Sequence, residues 1–288
     1  MPSFQGIWVA LVTPFNDGRV DFAALQRLVK KLDGEGVAGF VVCGTTGEAA
    51  ALSEQEQLEV LDAVLGWVPA ERVVMGVSGN HLGDLLAFLE QVQQRSLAGV
   101  LVPAPYYIRP SQPALEAFFQ TVADAARVPV LLYDIPYRTG VRIERETLRR
   151  IVQHPNIAAV KDCSGDPETA MALIADGHVQ VLAGEDSQIF STLCLGGSGA
   201  ISASAHVQAP LYVRLVEEVA SEHLSAARRT FYRLLPWIRM AFAEPNPAAV
   251  KTALALQGVI GDEVRAPMLA GSPALRQHLE VLLATFSD

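Results

Sequence analysis

Short apolar runs alternate with amphipathic stretches from residue 7 to residue 220. Such continuous runs predict strands buried on both faces, as in a parallel sheet. They fall at residues 7–12, 39–42, 73–77, 100–102, 130–133, 157–161, 179–183 and 200–201. Helices are expected between them, at 21–35, 53–65, 82–96, 113–126, 144–153, 168–175, 188–195 and 207–220. In the first of these, Phe22, Leu25, Leu28, Val29 and Leu32 share one helical face. Ser53 followed by Glu56 predicts a capping box at the start of the second. Eight βα units predict an α/β fold, a (β/α)8 TIM barrel, over an open doubly wound sheet as runner-up. Beyond residue 220 the pattern is helical only, at 221–243, 247–257 and 272–285. The expected division is a catalytic barrel over residues 1–220 and a C-terminal helical extension, 221–288, packed on it.

The composition narrows the function class. The chain has 288 residues, half of them hydrophobic, enough for the core of one large barrel. A net charge of −9 argues against nucleic acid or an anionic membrane as the main partner. An anionic substrate would need a local cation. Cys43, Cys163 and Cys194 are dispersed and odd in number, which fits a reducing compartment without a disulfide framework. Cys163 reads as a small packing residue. Residues 1–15 lack a basic stretch followed by a long apolar one, and no apolar run is long enough to span a bilayer. The expected location is the cytoplasm.

The short motifs mostly exclude. Gly34, Gly36 and Gly39 satisfy GxGxxG, but they sit between a helix end and a strand start, the reverse of the dinucleotide fingerprint. No GxxxxGK[ST] loop, HxH, HExxH or GxSxG occurs. In a (β/α)8 barrel, chemistry sits where strands end and βα loops begin. There this chain places Thr13, Thr45, Thr46, Glu48, Tyr107, Tyr133, Arg138, Lys161, Glu185, Asp186 and Ser202. Lys161 ends the apolar run 157–161 and admits two readings. It either reaches out of the sheet to solvent or a carboxylate, or it is an amine with a lowered pKa that forms a Schiff base. A single Thr or Tyr at such a place has dull explanations too. Together the residues form a set: one amine nucleophile, several proton-passing hydroxyls and one arginine to clamp a carboxylate. That set suits imine chemistry on an α-keto acid without metal or redox cofactor.

A family resemblance gathers these residues. LVTPF (residues 11–15), CGTTGE (43–48), PYY (105–107), YDIPYRTG (133–140), VKDCSGD (160–166), GED (184–186), GAIS (199–202) and NPAAVK (246–251) occur in order. The chain resembles the dihydrodipicolinate synthases of the N-acetylneuraminate lyase superfamily over nearly its whole length. The resemblance implies that Lys161 attacks the keto carbon of pyruvate, with no cofactor beyond that covalent imine. It implies Tyr133 as general acid and base, with Thr46 and Tyr107 completing a hydroxyl relay. Tyr107 would come from a neighbouring subunit, in a homodimer or homotetramer. Thr45 and Thr46 would hold the pyruvate carboxylate, and Gly184 and Ile201 would offer backbone carbonyls. Arg138 would pair with the carboxylate of aspartate semialdehyde, giving 4-hydroxy-tetrahydrodipicolinate on the route to diaminopimelate and lysine. The alternative is another pyruvate-dependent class I aldolase or lyase acting on a sugar acid or hydroxy-keto acid. Asp134 stands where Asn is usual, Tyr137 where Gly or Ala is usual, and KDCSGD replaces KEATGD.

Overall fold

Strands with almost no polar side chains must pair along both edges and be covered on both faces, and a closed parallel barrel does both. The computed structural model describes residues 3–286. Met1, Pro2, Ser287 and Asp288, at the ends of the two expected segments, lie outside the described residues. β1 (Gly6–Ala10) is followed by a hairpin of β2 (Phe15–Asn16) and β3 (Arg19–Val20). Next come α1 (Phe22–Gly34), β4 (Gly39–Val42), α2 (Glu54–Leu65), β5 (Val73–Gly76) and α3 (Leu82–Val92). β6 (Gly99–Pro103), α4 (Gln112–Ala125), β7 (Val130–Asp134), α5 (Pro136–Thr139) and α6 (Arg145–Ile151) follow. β8 (Ile157–Asp162), α7 (Pro167–Asp176), β9 (Gln180–Ala183), α8 (Ile189–Cys194), β10 (Gly199–Ser202) and α9 (Ala209–Ala220) complete the ring. The closed order is β1-β10-β9-β8-β7-β6-β5-β4, so the doubly wound alternative falls away.

All eight expected strands form, each within two residues of its expected bounds. The Ser53 capping box is present, with Ser53 Oγ accepting from the Glu56 N–H and Glu56 reaching back to the Ser53 N–H. Gly34 closes α1, Gly36 is left-handed and Gly39 opens β4, as the turn reading requires. The hairpin and α5 were not foreseen. Two-residue strands carry no periodic signal, and four helical residues between Pro136 and Gly140 look like a turn.

The barrel interior is filled by Trp8, Val41, Val74, Leu101, Leu131, Ala159, Leu182 and Ile201, with Tyr133 and Cys163 in the same cluster. Phe4 and Trp8 close the end away from the βα loops, their ring centroids 5.5 Å apart. Gly39 makes room for that plug: a Cβ there would lie 2.4 Å from the Trp8 ring. Each fully buried aliphatic or aromatic side chain contributes about 1.5–3 kcal/mol relative to exposure.

α10 (Leu224–Ala241), α11 (Ala248–Leu256) and α12 (Pro273–Ala284) make up the helical tail. Trp237 Nε1 of α10 donates to the Ser204 carbonyl at 2.7 Å. The tail also grips the loop end of the barrel. Lys251 Nζ lies 2.5 Å from Glu48 Oε1 and donates to the Glu263 carbonyl at 2.7 Å. The Arg265 N–H donates to Glu48 Oε2 at 2.9 Å, while its guanidinium pairs with Glu56 at 2.6 Å. Two hundred residues of chain separate partners that no local pattern connects.

Candidate active site

β7 and β8 set the geometry. Tyr133 and Lys161 are register partners on these adjacent parallel strands, so their side chains leave the same face of the sheet. Both point into the barrel, where Lys161 Nζ sits 4.1 Å from the centroid of the Tyr133 ring. Lys161 is only 7% exposed and forms no ion pair among the described residues. Of its two sequence readings, the solvent-reaching one is therefore removed. Burial pulls its pKa below the ordinary lysine range, with Glu185 and Asp186 pulling partly the other way. An amine held this way stays neutral, and nucleophilic, at lower pH than a surface lysine. Gly184 permits the arrangement. A Cβ there would lie 2.4 Å from Cys163 Sγ and 2.9 Å from Lys161 Cγ.

Tyr133 is buried, and burial raises its phenol pKa. Its oxygen accepts from the Cys163 thiol at 3.9 Å. Thr46, in the loop after β4, is buried, and its hydroxyl accepts from Asn246 Nδ2 at 2.8 Å. No hydrogen bond joins Thr46 to Tyr133 among the described residues. Thr45, on the same loop, is exposed. That loop is held at both ends: Thr13 Oγ1 donates to the Gly47 carbonyl at 2.7 Å, and Glu48, left-handed at φ 56°, is locked by Lys251 and Arg265.

A cavity of about 640 Å³ opens at this end of the barrel. Thr45, Glu48, Tyr106, Tyr133, Arg138 and Asn246 are among its walls. Lys161 lies behind the Tyr133 ring rather than in the wall. Arg138 reaches the cavity because Pro136 starts α5 and a left-handed Gly140 ends it within one turn. Its guanidinium carbon lies 5.4 Å from the centroid of the Tyr137 ring. An exposed, unpaired guanidinium at a cavity rim suits a carboxylate. Ile201 of β10 is buried inside the barrel. Next to it, Ser202 Oγ donates to Asp186 Oδ2 at 2.9 Å and the Ser204 N–H donates to the same oxygen at 2.6 Å.

Tyr107 stands apart. It is 88% exposed, left-handed at φ 72°, and absent from the cavity wall of its own chain. Sequence reasoning assigned no chemistry to Asn246 or Lys251, although both lie in the NPAAVK segment, and it took Cys163 as packing. The signal for Cys163 was available: in an extended chain, residue i+2 faces the same side as Lys161. Among the described residues no three His, Cys, Asp or Glu side chains converge as a metal ion would need. No described helix is long and apolar enough to cross a membrane.

Comparison with known proteins agrees with the geometry. 4-Hydroxy-tetrahydrodipicolinate synthase 2 of Clostridium acetobutylicum is 34% identical over 283 residues, 97% of this chain and 99% of that protein. The dihydrodipicolinate synthase structure from Aquifex aeolicus superposes with a TM-score of 0.95 at 31% identity, covering 99% of this chain and 98% of the other. A dihydrodipicolinate synthase variant described as monomeric superposes with a TM-score of 0.93 at 31% identity, covering 99% and 97%. Residues 3–285 match the Dihydrodipicolinate synthetase family. With the barrel closed, the strand-end lysine and tyrosine side by side, and likeness along the whole chain, this protein belongs to that family.

Proposed function

We propose that the protein is a 4-hydroxy-tetrahydrodipicolinate synthase, a lyase that condenses pyruvate with aspartate semialdehyde for diaminopimelate and lysine synthesis. The observation that carries this reading is Lys161 Nζ, buried and unpaired against the Tyr133 ring. The neutral amine attacks the keto carbon of pyruvate, and its surplus proton passes to the former carbonyl oxygen. That hydroxyl leaves as water with a proton from Tyr133, which gives the imine. The Tyr133 phenolate takes a methyl proton, which makes the enamine, whose carbon attacks the aldehyde. No cofactor enters these steps.

In this reading Thr45 and Thr46 take the pyruvate carboxylate, and Gly184 and Ile201 offer backbone carbonyls nearby. Arg138, at the cavity rim, takes the carboxylate of the aldehyde partner. Tyr107 is too exposed to serve its own chain. It joins Thr46 and Tyr133 in the relay of a second subunit, so the working form is a cytoplasmic homodimer or homotetramer.

Borohydride reduction with pyruvate, followed by peptide mass mapping, tests the amine. An adduct on Lys161 is expected, and none would end the reading. Turnover is then compared between aspartate semialdehyde and sugar aldehydes. Preference for an aldehyde without a carboxylate would move the protein to the sugar-acid aldolases. Analytical ultracentrifugation of the whole chain tests the assembly.

A further inference from the structure

The helical tail puts one side chain into the cavity wall that the proposed steps do not use. Asn246 lies between α10 and α11 and lines the cavity together with Tyr133 and Arg138. Pro245 and Pro247 flank it, each with its φ fixed by its ring. The Ala248 N–H donates to the Pro245 carbonyl at 3.0 Å, which ties this turn to the start of α11. Five residues on, Lys251 of the same helix meets Glu48. The tail therefore holds the loop after β4 both at Thr46 and at Glu48.

The bond at Thr46 has a direction. Asn246 Nδ2 donates to Thr46 Oγ1 at 2.8 Å, while Asn246 Oδ1 is buried with no partner among the described residues. An amide kept to brace the fold would use both of its ends. This one uses a single end, and spends it on a site residue. A hydroxyl carries one proton and two lone pairs. With a Thr46 lone pair taken by the amide N–H, the Thr46 proton must go to another acceptor, and none of the described residues receives it. Thr46 is 4% exposed, so bulk water is a poor substitute. A carboxylate suits the vacancy best, because a charged acceptor roughly doubles the strength of the bond.

We propose that Asn246 is a positioning residue for imine formation, holding Thr46 as a hydrogen-bond donor to the pyruvate carboxylate. The inference rests on the reading above, in which Thr46 takes that carboxylate. Turned the other way, the amide would draw the Thr46 proton to itself and leave the substrate facing lone pairs. Asn246 thus acts through Thr46, and the tail sets the polarity of a group that the barrel supplies.

The test measures borohydride-trapped imine in the full-length protein over a range of pyruvate concentrations. Asn246→Ala frees the Thr46 hydroxyl to turn, so the pyruvate concentration for half-maximal trapping should rise about fivefold, the equivalent of one hydrogen bond. Asn246→Asp keeps the shape, but its carboxylate only accepts. It draws the Thr46 proton and opposes the substrate's charge, so the rise should reach about 30-fold. Melting temperatures should stay within about 4 °C of the wild type. On a Thr46→Val background there is no proton to direct, and Asn246→Ala should add less than about a twofold loss. Wild-type pyruvate dependence in either Asn246 variant overturns the inference. So does a full loss that persists on the Thr46→Val background, or unfolding of both Asn246 variants, which would assign the side chain to the fold. Those results leave the lyase reading standing, whereas absence of any adduct in the wild type removes both.

Discussion

Replacing Lys251 with Met tests how the tail controls the site. The Lys251 side chain has no exposed surface, and that of Glu48 is 3% exposed, with 2.5 Å between their charged atoms. Lys251 Nζ also lies 4.2 Å from the Phe15 ring centroid and donates to the Glu263 carbonyl. Despite these partners, burial pulls its pKa below the ordinary lysine range, so desolvation outweighs the attraction of Glu48. Such a pair contributes little as a pair, but removing one member strands the other charge at a cost of about 3–5 kcal/mol. Met keeps the length of the stem and its packing on Phe15, which isolates the charge effect. With unfolding entropy scaling at about 2 cal/mol/K per residue, the loss corresponds to a fall of about 5–8 °C in Tm. Lys251→Met/Glu48→Gln removes the stranded charge while the amide oxygen still accepts the Arg265 N–H. The double variant should therefore be more stable than Lys251→Met alone by about 1–2 kcal/mol. Urea and thermal unfolding of the four proteins in the cycle measure this. A loss below about 1 kcal/mol in the single variant, or strict additivity, would refute the reasoning. Because Glu48 anchors the loop of Thr45 and Thr46, Lys251→Met should also slow imine trapping before it unfolds the chain.

Gly184→Ala places a methyl group 2.4 Å from Cys163 Sγ and 2.9 Å from Lys161 Cγ. Overpacking of this kind costs about 1–3 kcal/mol, and displacement of Lys161 should appear as slower borohydride trapping; trapping at the wild-type rate would show that the strand can yield. Asp134 is buried with Oδ2 unpartnered among the described residues, and burial, with Asp162 beside it, lifts its pKa from 3.8 to about 7. A raised carboxyl contributes stability that is full below the unfolded pKa and is lost as pH rises through the folded one. Asp134→Asn should thus stabilise the protein by about 2–4 kcal/mol at pH 8 and hardly at pH 4; equal effects in urea melts at both pH values would contradict this. Arg138→Ala should cut kcat/KM for the aldehyde about 30-fold, for the loss of about 2 kcal/mol, while leaving the pyruvate adduct on Lys161 intact. Equal losses in both steps would make Arg138 a support of the fold.

The strands were legible because each is short, apolar and flanked by turn residues, and the ring order follows from simple alternation. The lysine was legible as an anomaly: a charged group ending a run that must be buried. What stayed hidden depends on contacts across the chain. Glu48 and Lys251 each look like surface residues until the tail folds back over the barrel mouth. Asn246 meets Thr46 only because the loop after α10 passes above β4. Cys163 looked like filler because its meaning lies in Tyr133, which a neighbouring strand supplies. Tyr107 is the reverse case. The family resemblance marks it as functional, yet within one chain it points to nothing, since its proposed partner surface belongs to another copy.

The Phe4–Trp8 plug has a consequence for traffic through the barrel. The described barrel is plugged at its base by this pair and opens at the loop end, like a flask with a neck. Arg138 stands at the lip, and Lys161 waits below it behind Tyr133. Two reactants and one product share that passage, so sequence in time follows from depth. On the proposed chemistry, the molecule bound to the amine goes in before the one held at the lip.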